Sequence, residues 1–372
     1  MPRLSRAQEF ARQQIAQLAS SGLSANELGA RILDAIEHAV SFDGAQLYAV
    51  DPTTLLFNRL LSVSTGMRLH IYWYLRNLYL NEPLSALTHP NLMRAGLTAI
   101  SLHDRPETSW GLPADVASQL SASEFNKVYH ETTGVAGGIL RAFFPADGRW
   151  IAALDLARFD ARDSFRPSDV GFFRLVAPTI GRLLRTALDR ERALYSGTMA
   201  TPDAVGVLVL TANKHLLHST AAAESWINIL QDVGESRDGD LPSVIWSVIA
   251  GLRAGESQSG HARVLASTPK GQIRVEASLI GDEGAIAVVL SPCVKLAPLA
   301  IPHIWNLTNQ ERKVVEQVLR GLNNRQIASN LVVTEDTIES HLKHVFAKLN
   351  VHSRSQLVAQ YFAETYISNL FQ

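Results

Sequence analysis

Four helix starts follow one another between residues 307 and 357, and they constrain this part of the chain more than any other feature. A small polar residue stands at each start, where its side chain can accept a hydrogen bond from a free backbone amide. At three of the starts Glu or Gln follows three residues later, which is the spacing of a capping box. The pairs are Thr308–Glu311, Asn323–Gln326 and Ser353–Gln356, and Thr334 marks the remaining start. The sequence therefore predicts four short helices, the first ending at Gly321.

The third of these helices has two different faces. Its apolar residues recur at helical spacing and must face a core. They are Ile338, Leu342, Val345, Phe346 and Leu349, while Glu339, Ser340, Lys343 and Ala347 lie opposite. The second and third helices, joined by a short turn, have the form of a helix-turn-helix. On this pattern alone, the polar face is either an ordinary solvated surface or a surface that enters the DNA major groove.

The segment resembles the DNA-binding domain of LuxR-type transcription regulators. The family pattern runs Leu-Thr-x-x-Glu, Gly-Leu-x-Asn-x-x-Ile-Ala, Thr-Val/Ile-x-x-His and Lys-Leu-x-Val-x-x-Arg. It is matched here by Leu307, Thr308, Glu311, Gly321, Leu322, Asn324, Ile327, Ala328, Thr337, Ile338, His341, Lys348, Leu349, Val351 and Arg354. The resemblance covers only the C-terminal part of the chain. It implies a DNA-binding transcription regulator, with double-stranded DNA and RNA polymerase as partners.

The same resemblance implies a set of DNA contacts. Base contacts would fall on Glu339, Ser340 and Lys343. Phosphate contacts would fall on Thr334, Thr337, His341, Lys348 and Arg354. Many family members have Lys at the position of Glu339, and a carboxylate there can instead accept a hydrogen bond from cytosine N4 or point away from the DNA. His341 also fits a packing role beside the apolar stripe.

Charge gives little further support for DNA binding. Residues 303–372 contain seven Lys and Arg against six Asp and Glu, a net charge of +1. Phosphate attraction alone would therefore be weak. We expect a homodimer that covers two half-sites.

Composition and length indicate a globular, multidomain protein. The chain has 372 residues, of which 47% are hydrophobic and 19% charged. Its one cysteine, Cys293, excludes an intramolecular disulfide and a cysteine metal site. We expect a cytoplasmic protein, since no signal peptide or membrane span is evident.

Two segments divide the chain. Residues 195–202 are small and turn-forming, and residues 292–302 contain three prolines. These boundaries predict domains at 1–195, 203–291 and 303–372.

The first domain is predicted to be an α+β sandwich. Early helices, strands near 44–51 and 55–64, a hairpin at 137–159 and a long helix to Leu194 resemble a GAF domain. The resemblance rests on Ser123-Glu124-Phe125, Gly134, Gly137-Gly138, Phe165, Ser168-Asp169 and Pro178. It implies sensing of a small molecule or dimerisation.

The residues proposed for a ligand pocket are Tyr48, Tyr72, Trp73 and Trp110, and an aromatic core is the alternative interpretation. We place a candidate dimer seam on the long helix at Leu183, Leu184 and Leu188.

The second domain is also predicted to be α+β. Two strands, helices and then three strands, in the stretch 206–291, resemble a PAS domain. His215 and His218 lie near a predicted turn, where exposed polar positions are more common than haem or metal ligands.

No catalytic motif is found, so we expect no enzyme activity and identify no cofactor or metal site. Asp155, Asp160 and Asp163 alternate with Arg158 and Arg162, which predicts a solvated charged edge. The predicted function is a DNA-binding regulator whose first two domains sense a signal or mediate dimerisation. The alternatives are a constitutive regulator with a scaffolding front half, a quorum-sensing type regulator that binds an autoinducer, and a front half that retains an enzymatic or cofactor function.

Overall fold

The structure is a computed structural model. It describes residues 4–64, 74–76, 79, 85–103, 109–113, 116, 134–160, 164–194, 205–230, 241–253, 260–268, 271–281, 284–292, 305–319 and 322–362. The chain forms two compact units, Met1–Cys293 and Val294–Gln372. Most of both predicted linkers lies outside the described residues, so the three-domain division stays a prediction.

The first sheet of the N-terminal unit has five strands in the order β2-β1-β5-β4-β3. The strands are β1 (Gly44–Val50), β2 (Phe57–Val63), β3 (Ala99–Leu102), β4 (Gly138–Ala146) and β5 (Arg149–Arg158). Neighbouring strands are antiparallel. Asp147 and Gly148 both have positive φ, 47° and 73°, in the two-residue turn between β4 and β5. Such a turn matches the twist of the strands, and the predicted hairpin is confirmed.

Three helices cover one face of this sheet: α1 (Arg6–Gln17), α2 (Ala25–Glu37) and the long α4 (Pro167–Leu194). A short helix, α3 (His89–Arg94), precedes β3 in the chain. Capping boxes start α1 at Ser5 and α2 at Ser24. The predicted seam on α4 is wrong for Leu184 and Leu188, because both side chains are buried in the core beneath the helix. Leu183 is only partly buried.

A second sheet in the same unit has the order β7-β6-β10-β9-β8. The strands are β6 (Gly206–Leu210), β7 (Leu216–Ser219), β8 (His261–Thr268), β9 (Gly271–Ile280) and β10 (Ala285–Pro292). Helices α5 (Ala221–Leu230) and α6 (Ser243–Arg253) come between β7 and β8. The predicted order of two strands, helices and three strands is confirmed, and His215 and His218 are exposed.

The C-terminal unit is helical. Its helices are α7 (Asn309–Leu319), α8 (Asn324–Leu331), α9 (Glu335–Leu349) and α10 (Arg354–Phe362), which confirms the four predicted helices. They enclose a separate apolar cluster that includes Trp305, Val315, Ile327, Val345 and Leu357. No helix within the described ranges has the length and apolar character that a membrane span requires.

Candidate nucleic-acid interface

Side chains of the C-terminal unit cap its helices as their spacing predicts. Thr308 N donates to Glu311 Oε2 at 2.7 Å, and Glu311 N donates to Thr308 Oγ1 at 3.3 Å. The Asn323 and Gln326 side chains each accept from the other's backbone amide at 2.9 Å. These bonds satisfy amides that a helix leaves free at its start, so they fix where α7 and α8 begin.

The turn between α8 and α9 has an unusual conformation. Val332 ends α8 with φ 57° and ψ 49°, in the left-handed region. Its amide and that of Val333 both donate to Ala328 O, and so close the end of α8. Thr334 then starts α9 by accepting from Thr337 N at 3.3 Å. A β-branched residue is strained at positive φ, and the side chain of Val332 is 90% exposed. Packing therefore does not offset the strain.

Helix α9 separates a packed face from an open face. Ile338, Leu342, Val345 and Leu349 are buried in the core of the unit. Glu339, Ser340, Lys343 and Ala347 are exposed on the opposite side. Helix α9 packs against both α7 and α8, and these contacts orient its open face. A helix of this form, second in a helix-turn-helix, can lie in the major groove.

The charges near this face are mixed. Glu335, Asp336 and Glu339 are exposed in the first half of α9, while Lys343 is exposed one turn after Glu339. Arg325 is exposed in the first turn of α8. Phosphate attraction is therefore limited, and the open face is better suited to hydrogen bonds with base edges than to non-specific charge attraction.

Lys348 makes contacts inside the unit. Its Nζ lies 2.7 Å from Glu311 Oε2 and 3.4 Å from Asn306 O. Burial disfavours the charged form of Glu311, but hydrogen bonds from Lys348 and Thr308 outweigh it, so the pKa of this carboxyl lies below its ordinary value. Lys348 thus joins α9 to the start of α7.

Arg354 is also held by backbone groups. Its Nη2 donates to Leu322 O and lies 3.5 Å from Val318 O. Both carbonyls belong to the end of α7 and the loop that follows. The guanidinium therefore supplies donors to carbonyl groups that a helix leaves free at its C-terminus.

The other residues predicted to contact DNA lie on α9 or at its start. Thr334 is exposed and caps α9, while Thr337 and His341 are half-buried. Gly321 lies outside the described residues. The DNA contacts of these residues stay predictions.

The N-terminal unit contains a buried polar cluster that the sequence analysis did not predict. His89 Nε2 lies 2.9 and 3.0 Å from the two carboxylate oxygens of Asp155. Gln46 Nε2 donates to Asp155 Oδ2 at 3.2 Å, and Arg141 Nε lies 3.7 Å from Asp155 Oδ1. Tyr74 Oη lies 3.3 Å from His89 Nδ1 and accepts from Arg141 Nη2 at 3.2 Å. The predicted solvated edge is therefore wrong at Asp155, which is buried.

Burial and charge act against each other in this cluster. Burial lowers the pKa of His89, and Asp155 only partly compensates. Burial alone would raise the pKa of Asp155, but His89 and Arg141 hold it below its ordinary value. The predicted edge is also wrong at Arg158, which is buried and donates to Ser41 O at 2.9 Å and Ser164 O at 2.8 Å. Asp163 and Arg162 lie outside the described residues.

Two residues of the predicted ligand pocket, Tyr48 and Trp110, lie among the described residues, and they belong to different clusters. Tyr48 is fully buried, stacks on Phe57 at 4.1 Å between ring centroids, and donates from Oη to Gln46 Oε1 at 3.3 Å. Trp110 is half-buried and packs against a different apolar cluster, the one to which α1, α2 and α4 contribute. Tyr72 and Trp73 lie outside the described residues. Tyr48 and Trp110 therefore do not line one pocket together.

The capped helices, the turn and the open face of α9 define a helix-turn-helix DNA-binding domain. Residues 305–360 match the family described as bacterial regulatory proteins, luxR family. The C-terminal unit is thus a LuxR-type DNA-binding domain, and the predicted resemblance is confirmed there.

Similar proteins match mainly through this part of the chain. A nitrate/nitrite response regulator protein homolog of Haemophilus influenzae is 37% identical over 81 residues, which cover 21% of this chain and 39% of the relative. The probable HTH-type transcriptional regulator GfsR of Streptomyces halstedii is 30% identical over 106 residues, or 27% of this chain and 39% of the relative. The chain thus spans about two fifths of the length of these relatives. Both relatives are regulators by description.

Among solved structures, Escherichia coli SdiA matches over 96% of this chain and 97% of that chain, with a TM-score of 0.34 and 12% identity. The ligand-binding domain of VqsR from Pseudomonas aeruginosa matches over 48% of this chain and 95% of that chain, with a TM-score of 0.32 and 16% identity. Similarity at this level carries no information on the ligand or on the detailed fold.

Proposed function

We propose that this chain is a sequence-specific, DNA-binding transcription regulator that acts as a homodimer. The observation that carries the proposal is the open face of α9, which presents Glu339, Ser340 and Lys343 away from the packed core. Its partners are double-stranded DNA and RNA polymerase, and its place of action is the bacterial cytoplasm, where the DNA lies.

The residues of the open face suggest which base atoms they contact. A carboxylate accepts hydrogen bonds only, so Glu339 would accept from cytosine N4, while Lys343 would donate to guanine O6 or N7. Thr334, Thr337 and His341 would contact phosphates near the start of α9. Lys348 and Arg354 would act mainly by fixing helix positions, since both already bond groups within the unit.

A second copy would supply the affinity that a domain of net charge +1 lacks. Its proposed contact is the outward stripe of α4, composed of Leu175, Thr179, Leu183 and Thr186. A groove of about 400 Å³ between this stripe, α1 and α2 offers a concave surface for the partner. The stripe replaces the seam that buried Leu184 and Leu188 cannot form.

The oligomeric state can be tested by sedimentation of the full chain. We expect Leu175→Glu combined with Thr186→Glu to yield monomers, because two charged groups would lose their hydration in the interface. Leu217→Glu, at an exposed position of β7, is the matched control and should leave the dimer intact. A dimer that persists in the double variant would exclude this stripe as the interface.

We further propose that the N-terminal unit senses a signal, as a GAF-like and PAS-like pair would. The buried ionisable cluster around His89 supports this proposal, because buried ionisable groups often occur at functional sites. The alternatives are a front half that only assembles the dimer, a front half that binds an autoinducer, and one that retains an enzymatic or cofactor function. Mass spectrometry of the natively purified protein would detect a retained small molecule and so separate a sensor from a scaffold.

The DNA proposal is tested by selection of genomic DNA fragments with the full chain at two salt concentrations. Enrichment of a short inverted repeat, lost in Lys343→Ala, is the expected result. Lys313→Ala, at an exposed position of α7 away from the open face, is the control and should keep the same repeat. Equal enrichment of all fragments would reject sequence-specific binding.

A further inference from the structure

The two sheets of the N-terminal unit meet through their edge strands. Strand β2 is an edge of the first sheet and β8 is an edge of the second, and the two are in contact. Asp51, which follows β1, joins them. Its Oδ2 accepts from Leu265 N in β8 at 3.0 Å. Its Oδ1 accepts from Thr53 N at 2.8 Å and Thr54 N at 3.2 Å, and so shapes the turn before β2.

Helix α6 is shared by the two sheets. It packs against β2 as well as against β8 and β9. Gly251 lies close to the residue that precedes β2, since a Cβ there would lie 2.8 Å from Leu56 Cδ1. One continuous apolar cluster includes residues of both sheets and of α6, among them Phe57, Ile249 and Val264. An independent domain normally has a core of its own, and these two sheets share one.

A third link lies at the turn between β6 and β7. Arg76 Nη2 donates to Lys214 O at 3.1 Å and lies 3.4 Å from Asn213 O. Lys214 Nζ donates in return to Arg76 O. The Arg76 guanidinium also lies 5.2 Å from the ring centroid of Trp246 in α6, within the range of a cation–π contact. Residues distant in sequence are thus held together at this side of the junction.

One buried polar group on β2 and another on α6 lack partners among the described residues. Asn58 Oδ1 on β2 and Ser247 Oγ on α6 are buried, and neither has a hydrogen-bond partner in the part of the chain that the structure describes. Ser247 lies one turn before Gly251, on the side of α6 that approaches β2. Buried polar groups without partners cost free energy, so the packed junction is less stable than an apolar one of the same shape.

We propose that the two sheets form one cooperative body, and that the junction of Asp51, α6 and β2 transmits a change in the first sheet to the second. The shared core and the hydrogen bond from Leu265 N to Asp51 couple the two sheets. Local unfolding of one sheet therefore increases the probability that the other sheet unfolds. The unpartnered Ser247 hydroxyl lowers the cost of a shift in α6, which suits a junction that moves. This inference does not depend on DNA binding.

The test is native-state hydrogen exchange on the full chain, read by mass spectrometry for β1 and β5 and for β8 and β9. In the natural protein we expect the slowest amides of both sheets to exchange at rates that agree within about threefold, as they do in one cooperative unit. Asp51→Asn keeps an oxygen for the turn but can present an amide donor to Leu265 N–H. We expect it to make exchange in β8 and β9 about tenfold faster than in β1 and β5.

Two further variants sharpen the result. Gly251→Leu should make exchange in β8 and β9 faster than in β1 and β5, because its side chain displaces Leu56. Ala221→Leu, at the exposed start of α5, is the control and should change neither set of rates. Asp34→Asn, at an exposed position of α2, is the control for Asp51→Asn and should change neither sheet. Different rates for the two sheets in the natural protein would overturn the proposal. So would an unchanged common rate in both junction variants.

Discussion

The strained turn before α9 gives a quantitative prediction. Val332 is held at φ 57° with its side chain 90% exposed. A residue with a Cβ costs about 1–2 kcal/mol in the left-handed conformation, and Asn adopts it more easily than a β-branched residue. Replacing an exposed side chain removes little buried area, so the loss of packing is small. We therefore expect Val332→Asn to stabilise the C-terminal unit by about 1 kcal/mol.

Hydrogen exchange of the full chain can measure this change. A gain of about 1 kcal/mol slows exchange of the protected amides of α8 and α9 about fivefold, given that 1.4 kcal/mol is tenfold. Val333→Asn is the matched control. Val333 has no positive φ and is 42% exposed, so its replacement should give no stabilisation. Faster exchange in Val332→Asn than in the natural protein would show that the backbone of Val332 is not strained at this turn.

Three other predictions concern charged groups. Glu339→Gln should change the selected base at one position of each half-site, because an amide can donate as well as accept; unchanged selection would mean that Glu339 points away from the DNA. Lys348→Met should destabilise the C-terminal unit by about 1 kcal/mol, since the buried Glu311 carboxylate loses its cation and keeps only hydrogen bonds from Thr308. The loss should shrink well below pH 4.5, where Glu311 becomes neutral although its pKa is lowered, and thermal unfolding at pH 7 and pH 3 would measure both effects. The N-terminal unit should lose stability as the pH falls below about 6.5, because His89 binds a proton more readily in the unfolded state than in the folded state, where its pKa is lowered. The lowered pKa of Asp155 has the same effect on stability at lower pH. A melting temperature that stays constant from pH 7 to pH 4.5 would contradict this prediction.

Local signals explain why much of the fold could be predicted. The helix starts at Thr308, Asn323 and Thr334 depend on residues three positions away, and the structure forms those bonds. The turn at Asp147-Gly148 depends on two adjacent residues that tolerate positive φ. Such interactions lie within a few residues of each other, so one sequence is sufficient to find them.

Contacts between distant residues were not predictable in the same way. Lys348 fits a phosphate contact by its position, yet its partner Glu311 lies 37 residues earlier. Asp155 alternates with charged residues and looks solvated, but its partner His89 lies 66 residues earlier and is itself buried. The pairing of these residues follows from the packing of whole elements. Val332 was missed for another reason, since two consecutive valines give no signal of a left-handed turn.

The acidic residues along the first half of α9 also bear on how such a protein finds its operator in a whole genome. Each phosphate contact made by a cation adds affinity for every stretch of DNA alike, and a genome offers about 10⁶–10⁹ competing stretches. In the proposed function, Glu335 and Asp336 would repel all of these stretches equally. Fewer molecules would then be held at irrelevant positions, and a small number of copies per cell would suffice to occupy the correct one.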